Sequence, residues 1–274
     1  MKNTYVQLWS VREDLEKDYK GVLRQIASIG YSGVEFAGNY GGLSASALKE
    51  LMRDLKLEAL SAHVTSDNVA AFLDYAVELG LKYIIDPAAG IGNDEEAAAF
   101  AKKLNVAGKL CRDAGITFGY HNHRHEFVAG KDGTLYETLL KNTDPDLVCF
   151  QLDVGWSVCA GVDTPALIKK YPGRFKLIHV KECSTVAGPE GRHDFSQYPK
   201  DENGRLILPE ELIRHFEEVN AYNVATGKGL IDWAVIKDVA DAHGAEAYVM
   251  EREYVYAGDV YHCLVEDWEF MNNM

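Results

Sequence analysis

Eight times along this chain a short apolar run gives way to a longer amphipathic stretch, and that alternation limits the folds open to it. The runs that predict strands cover 4–11, 33–38, 57–64, 83–89, 116–123, 147–154, 175–181 and 245–253. Between them, "LEKDYKGVLRQIASIG" has apolar residues at helical spacing and closes on Gly30, a C-cap residue. "SASALKELMRDLKL" opens on a serine N-cap, and "DNVAAFLDYAVELG" and "DEEAAAFAKKLNVAGKLCRDAG" each open on Asp and close on Gly. Strand-helix alternation argues for a parallel sheet. Eight units, most recurring at about 25 to 33 residues, predict a closed (β/α)8 barrel in a single α/β domain over 1–274. A doubly wound open sheet is the alternative, but it usually carries a glycine-rich phosphate turn after strand one, and "LWSVRED" has none.

One interval breaks the rhythm. About 60 residues separate the seventh and eighth runs, rich in Gly, Pro and charge. Residues 183–226 read as an insertion that would lie over the barrel mouth as a lid or an interface. A net charge of -14 opposes nucleic acid as a partner, since phosphate binding needs clustered Lys and Arg. No apolar run approaches the roughly 20 residues of a membrane span, and the N-terminus has no signal-peptide pattern. The five cysteines are widely spaced with no CxxC, which predicts free thiols in a reducing cytoplasm.

Active sites of such barrels lie at the C-terminal ends of the strands. Seven of the eight runs end in polar chemistry: Glu35, His63, Asp86, then His121, Asn122 and His123 with Glu126 beyond, Asp153 with Trp156 beyond, His179 with Lys181 and Glu182, and Glu251 with Arg252 and Glu253. Carboxylates and imidazoles converging from different strands make a divalent metal site, and none of these residues is a thiol. Side chains alternate along a strand. His121 and His123 therefore share a face, as do His179 and Lys181, Glu251 and Glu253, and Gln151 and Asp153. Arg252 alternates away from the mouth, and Glu182 faces outward or braces a neighbouring loop.

The pieces "GVEFAG", "SAHV", "YHNHRHEF", "FQLDVGW", "LIHVKE", "GKGLIDW" and "VMEREY", in this order over nearly the whole chain, resemble the sugar phosphate isomerase/epimerase family with a xylose-isomerase-like barrel, and within it the inosose-dehydratase-related branch. The resemblance implies a divalent ion (manganese, magnesium, cobalt or zinc) held by an acid near strand five, an Asp at strand six, a His at strand seven and a Glu at strand eight. Asp153, His179 and Glu251 match the last three positions. For the first, Glu137 in "TLYETLL" is preferred, with Glu126 as the alternative and His121 or His123 also able to serve. Trp156 stands where many relatives carry a His, which suggests a stacking platform.

Such a site polarises the carbonyl of a hydroxy-ketone, lets a base remove the neighbouring proton and stabilises the enediolate. Returning the proton gives epimerisation or isomerisation; losing a β-substituent gives a lyase, either an inosose-type dehydratase or a 3-keto-glycoside-cleaving enzyme. The first expectation is an isomerase or epimerase of a sugar or keto-sugar, and the lyase is the alternative. Glu251 would act as base, His123 and Lys181 as proton donors or oxyanion partners, and Glu35, His63 and His121 would hold hydroxyls. "GKGLIDW" lacks the full phosphate-loop pattern, so a non-phosphorylated sugar or cyclitol is expected. The resemblance also implies a homo-oligomer, and cleaving enzymes of the group can work with a small partner subunit.

Overall fold

The computed structural model describes residues 4–87, 89–202, 204 and 206–274. Eight parallel strands close into a barrel: β1 (Thr4–Gln7), β2 (Gly33–Phe36), β3 (Glu58–His63), β4 (Tyr83–Asp86), β5 (Thr117–His121), β6 (Val148–Asp153), β7 (Phe175–Val180) and β8 (Ala247–Met250). Each pairs with its neighbours in sequence, and β8 returns to β1, with Tyr5 opposite Val249. The helices α1 (Arg12–Ile29), α2 (Ala45–Leu55), α3 (Val69–Leu79), α4 (Asp94–Asp113) and α5 (Leu135–Asn142) follow the first five strands. After β6 come two short helices, α6 (Val154–Cys159) and α7 (Thr164–Lys170). After β7 come α8 (Glu210–Asn220) and α9 (Trp233–Ala242), and after β8 comes α10 (Val260–Asn272).

Local chemistry sets several of the helix ends. Ser44 accepts a hydrogen bond from the Ala47 amide at the start of α2, and Asn93 does the same for Glu96 at the start of α4. Gly30 ends α1 at φ 111°, in the left-handed region that glycine enters without strain. The first strand is shorter than the 4–11 run suggests. Gln7 accepts from the Trp9 amide, and the chain winds into a 3-10 turn over Leu8–Val11. The expected strand over 83–89 closes at Asp86, and residue 88 lies outside the described residues, as do 203 and 205 of the insertion. α6 has no counterpart in the sequence reading; six residues are too few to show a helical period.

The barrel interior has two characters. Low in the barrel, Tyr5, Leu60, Tyr83, Ile85, Cys149, Leu177, Ala247 and Val249 form an apolar plug. Two residues further along several strands the inward positions turn polar: Gln7 after Tyr5, Gln151 after Cys149, His179 after Leu177, Glu251 after Val249. Strand alternation carries the same face upward, so the plug is the floor on which the polar layer stands. The larger core lies between strands and helices.

Between β7 and β8 the chain forms a 3-10 turn (Phe195–Gln197) and α8 before entering α9. Among the described residues all five cysteines are free and buried, and no helix is long and apolar enough to cross a membrane.

Strand pairing leaves no room at the start of β2. A Cβ on Gly33 would lie 2.1 Å from the backbone oxygen of Glu58 in β3. Gly33→Ala should therefore destabilise the protein by about 3 kcal/mol, read as a lower urea midpoint, because backbone cannot yield as a side chain can.

Candidate active site

The polar layer is organised around one carboxylate. Glu35 is wholly buried at the end of β2. Its Oε1 accepts from Gln7 Nε2 and His179 Nε2, both at 2.7 Å, and lies 3.1 Å from His63 Nε2. Its Oε2 accepts from Ser61 Oγ at 2.6 Å and Gln151 Nε2 at 2.7 Å. Burial opposes the charge, but His63 and His179 outweigh it and hold the acid well below the usual carboxylate range. Glu35 is thus placed behind the site. Protein donors occupy both oxygens of the acid expected to hold a substrate hydroxyl.

Gln151, which sequence reasoning placed only on the inward face, is the second organiser. Its Oε1 accepts from His121 Nδ1 at 3.1 Å and His63 Nε2 at 3.0 Å while its amide serves Glu35. The rings of His63 and His121 consequently sit 5.8 and 4.5 Å from that of His179. Burial, then neighbouring histidines, keep His121 well below the ordinary imidazole range, so it stays neutral.

His179 donates through Nε2 to Glu35, which aims Nδ1 at the opposite wall. There Glu251 Oε2 lies at 3.4 Å and Asp153 Oδ2 at 3.9 Å. Asp153 ends β6 and caps α6 through Oδ1, which accepts from the Trp156 amide at 2.8 Å. Its Oδ2 and His179 Nδ1 are buried without a hydrogen-bond partner. The backbone of Asp153 is pinned by Asn122, whose Oδ1 accepts from the Asp153 amide at 3.0 Å. Burial raises the Asp153 acid to about 6. For His179 burial works against the proton, but Glu251 and Glu35 prevail and lift it to about 10.

Lys181 forms the next layer outward. Its Nζ is 2.9 Å from Glu251 Oε2, 2.9 Å from Glu253 Oε2 and 3.6 Å from Asp153 Oδ2, and lies 4.5 Å above the Trp156 ring. Burial disfavours this ammonium, but Glu251 and Glu253 raise its pKa overall. Above Lys181 opens a chamber of about 670 Å³. His123, Trp156 and Glu253 line its floor, Trp9 and Arg12 one side, and the insertion from Glu190 to Ser196 its roof. Burial and the charges of His125 and Lys181 lower His123 to about 3, leaving a neutral imidazole on the chamber wall.

Four ligand atoms, one each from His121, Asp153, His179 and Glu251, lie within 4.8 Å of one another. His179 Nδ1 and two carboxylate oxygens turn on one point, which a proton on Nδ1 satisfies in the metal-free protein and a metal cation can take over. The carboxylate behind the imidazole is the usual support of a metal-bound histidine. The donor set fits a divalent ion.

Neither glutamate considered for the first position reaches this cluster. Glu137 closes a capping box with Thr134 at the start of α5, and Lys170 Nζ (2.5 Å) and Tyr171 Oη (3.0 Å) hold its Oε1. The Thr-x-x-Glu spacing of "TLYE" is itself the sequence signature of that cap. Glu126 is buried, accepting from the Tyr120 hydroxyl and, at 2.9 Å, from the His123 amide. It shapes the turn after β5. His121 is the further ligand-bearing side chain that stands within the cluster. Glu182 braces, as one of its two readings had it, accepting from the Gly227 and Ile231 amides and from Trp233 Nε1. The "GKGLIDW" turn is therefore held by a carboxylate. Arg252 points away from the mouth, to Asp267 and Asn223.

Residues 23–262 match the family described as xylose isomerase-like TIM barrel. The chain belongs to that family. Among curated proteins it is similar to inosose dehydratase 2 of Bacillus cereus, 25% identical over 88% of this chain and 89% of the relative. Its fold is that of a sugar phosphate isomerase/epimerase from Parabacteroides distasonis, with a TM-score of 0.74 and 24% identity over 99% of this chain and 94% of that one. It is also that of 3-keto-D-glucoside 4-epimerase from E. coli, with a TM-score of 0.69 and 13% identity over the full length of both. Dehydratases, epimerases and isomerases thus share this barrel.

Removing the acceptor at the centre should be costly. Glu35→Ala strands four buried donors and should lower stability by about 3–5 kcal/mol in urea unfolding. The cluster also gives a pH signature. The folded pKa of His179, about 10, lies above the ordinary 6.5, so its stabilising contribution is complete below about 6.5 and is lost as pH rises through 10. Metal-free protein should lose thermal stability between pH 7 and 10, and His179→Gln should lose less over that window. Parallel melting curves against pH for the two proteins would contradict this placement of the proton.

Proposed function

We propose that this protein is a divalent-metal-dependent enzyme that removes and returns the proton beside the carbonyl of a keto-sugar or cyclitol, as an isomerase or epimerase. The observation that carries the reading is His179 Nδ1 facing Asp153 Oδ2 and Glu251 Oε2, with Lys181 beside them; a metal ion would take the place of the proton that Nδ1 carries in the metal-free protein. Asp153, His179 and Glu251 would hold the ion, with His121 as the nearest further donor. Two carboxylates with imidazole suit manganese, magnesium, cobalt or zinc. A bound ion supplies Lewis-acid polarisation of the carbonyl and of the oxyanion that forms from it.

The chain's own groups divide the remaining work. Glu251 is held ionised: burial opposes its charge, but Lys181 and His179 lower its pKa well below the ordinary value. It is the base on the β8 side. His123, neutral and facing the chamber, is the proton carrier on the β5 side. Groups on two walls are what return of a proton to either face requires. Lys181 donates a hydrogen bond to the developing oxyanion, and Trp156, one face of which carries the Lys181 ammonium, lines the chamber as an aromatic surface for the sugar. His63 and His121 orient the cluster and reach hydroxyls from the inner side.

A lyase is the second reading, and one observation favours it. The Lys181 ammonium lies 2.9 Å from Glu251, so acid and base stand side by side, as loss of a β-hydroxyl demands. The similarity to inosose dehydratases over most of the chain supports the same reading.

Incubating the manganese-loaded protein in deuterated water with a panel of keto-sugars and inososes separates the two. Deuterium at the carbon beside the carbonyl, with water and aglycone retained, is the expected result. Accumulation of an unsaturated ketone selects the lyase. Glu251→Gln should slow exchange by about 10²–10⁴-fold, the usual worth of a positioned base. Full metal content and exchange in an Asp153→Asn/His179→Ala protein would end the metal assignment.

A further inference from the structure

The insertion holds a second cluster of metal-ligating side chains, apart from the barrel axis. Glu190 and His193 stand three residues apart in the roof segment, and His215 reaches them from α8. Both imidazoles present Nε2 to the same oxygen, Glu190 Oε1, at 3.0 Å for His193 and 2.7 Å for His215. The other oxygen, Oε2, is paired with the buried Arg124 guanidinium that follows β5. One carboxylate oxygen is thus braced from behind while its partner faces two imidazoles.

Ordinary hydrogen bonding does not account for the third member. His215 Nε2 is shut off from solvent and makes no properly directed hydrogen bond, although it touches Glu190 Oε1. The three ligand atoms lie within 4.8 Å of one another. Ligands about 2.0–2.2 Å from a shared tetrahedral zinc ion stand about 3.3 Å apart, so the Glu190 contacts to His193 and His215 would open by about 0.3 and 0.6 Å to admit one. Two imidazoles and one monodentate carboxylate, supported by an outer charged partner, make a zinc-type donor set.

We propose that Glu190, His193 and His215 form a second divalent-cation site, of zinc chemistry, that clips the roof segment to α8 above the barrel mouth. Glu190 and His193 also line the chamber. The site does not depend on the catalytic reading and would hold even if the barrel cluster bound no metal.

The test uses untagged, chelator-stripped full-length protein titrated with zinc chloride alone, with bound zinc counted after dialysis. Wild type should retain two equivalents, Asp153→Asn/His179→Ala one, His193→Ala/His215→Ala one, and the four-fold variant none. If the barrel cluster binds no zinc, wild type retains one equivalent, which His193→Ala/His215→Ala alone removes. If His193→Ala/His215→Ala leaves the zinc of Asp153→Asn/His179→Ala unchanged, the clip is refuted. His215 is 37% exposed on its helix, so the single His215→Ala variant should fold and serves if the double does not. Zinc should slow proteolytic cleavage within 183–209 at least tenfold in Asp153→Asn/His179→Ala and not when His215→Ala is added. Equal protection in both proteins also overturns the proposal.

Discussion

A single buried negative charge organises this barrel. Glu35 of β2 accepts from Gln7 at the end of β1, Ser61 of β3, Gln151 of β6 and His179 of β7, so one carboxylate joins five strands at one level. A carboxylate so placed is tolerable only when its lone pairs are filled. That requirement fixes the rotamers of the residues that fill them. His179 is the important case, because with Nε2 committed its other nitrogen has one direction left. The geometry of the reactive face is therefore set from the rear, by hydrogen bonds that no substrate meets.

The same device recurs around the rim. Asn122 locks the end of β5 to the backbone of Asp153. Glu182 gathers the turn into α9, and Arg252 joins Asp267 to the 223–224 backbone. At the ends of β7 and β8 the neighbours of Lys181 and Glu251 are polar groups turned outward to brace, while Lys181 and Glu251 turn inward to the site. Strand alternation assigns the two jobs to adjacent residues: Glu182 braces where Lys181 turns to Glu251 and Asp153, and Arg252 braces where Glu251 faces the cluster.

This explains what could be read from the chain. The barrel was legible because eight apolar runs have a period, and Asp153, His179 and Glu251 were legible as inward residues at strand ends. Glu35 was legible as a strand-end acid but not as a support, since its role depends on donors 26 to 144 residues away. Glu137 misled because distance along the chain from β5 is no guide to direction, although its capping-box spacing with Thr134 pointed to a local partner. Gln151 was seen to face inward, but an amide that gives to Glu35 and accepts from two histidines is a property of packing, not of pattern. The roof cluster was illegible for the same reason: nothing in sequence joins Glu190 to a histidine 25 residues later on another element.

The chamber's floor and its roof come from different kinds of structure, and this has a consequence for how such a protein can change. Beneath the floor lies a mesh in which each polar side chain holds the next, so one substitution there disturbs several strands. The roof is one continuous excursion between β7 and β8, tied to the barrel at Arg124 and Gly90, at the Cys159 carbonyl and, near its end, at Arg252. Insertions and exchanges in such an excursion leave the mesh beneath it untouched. The roof can therefore vary more freely than the polar mesh beneath it.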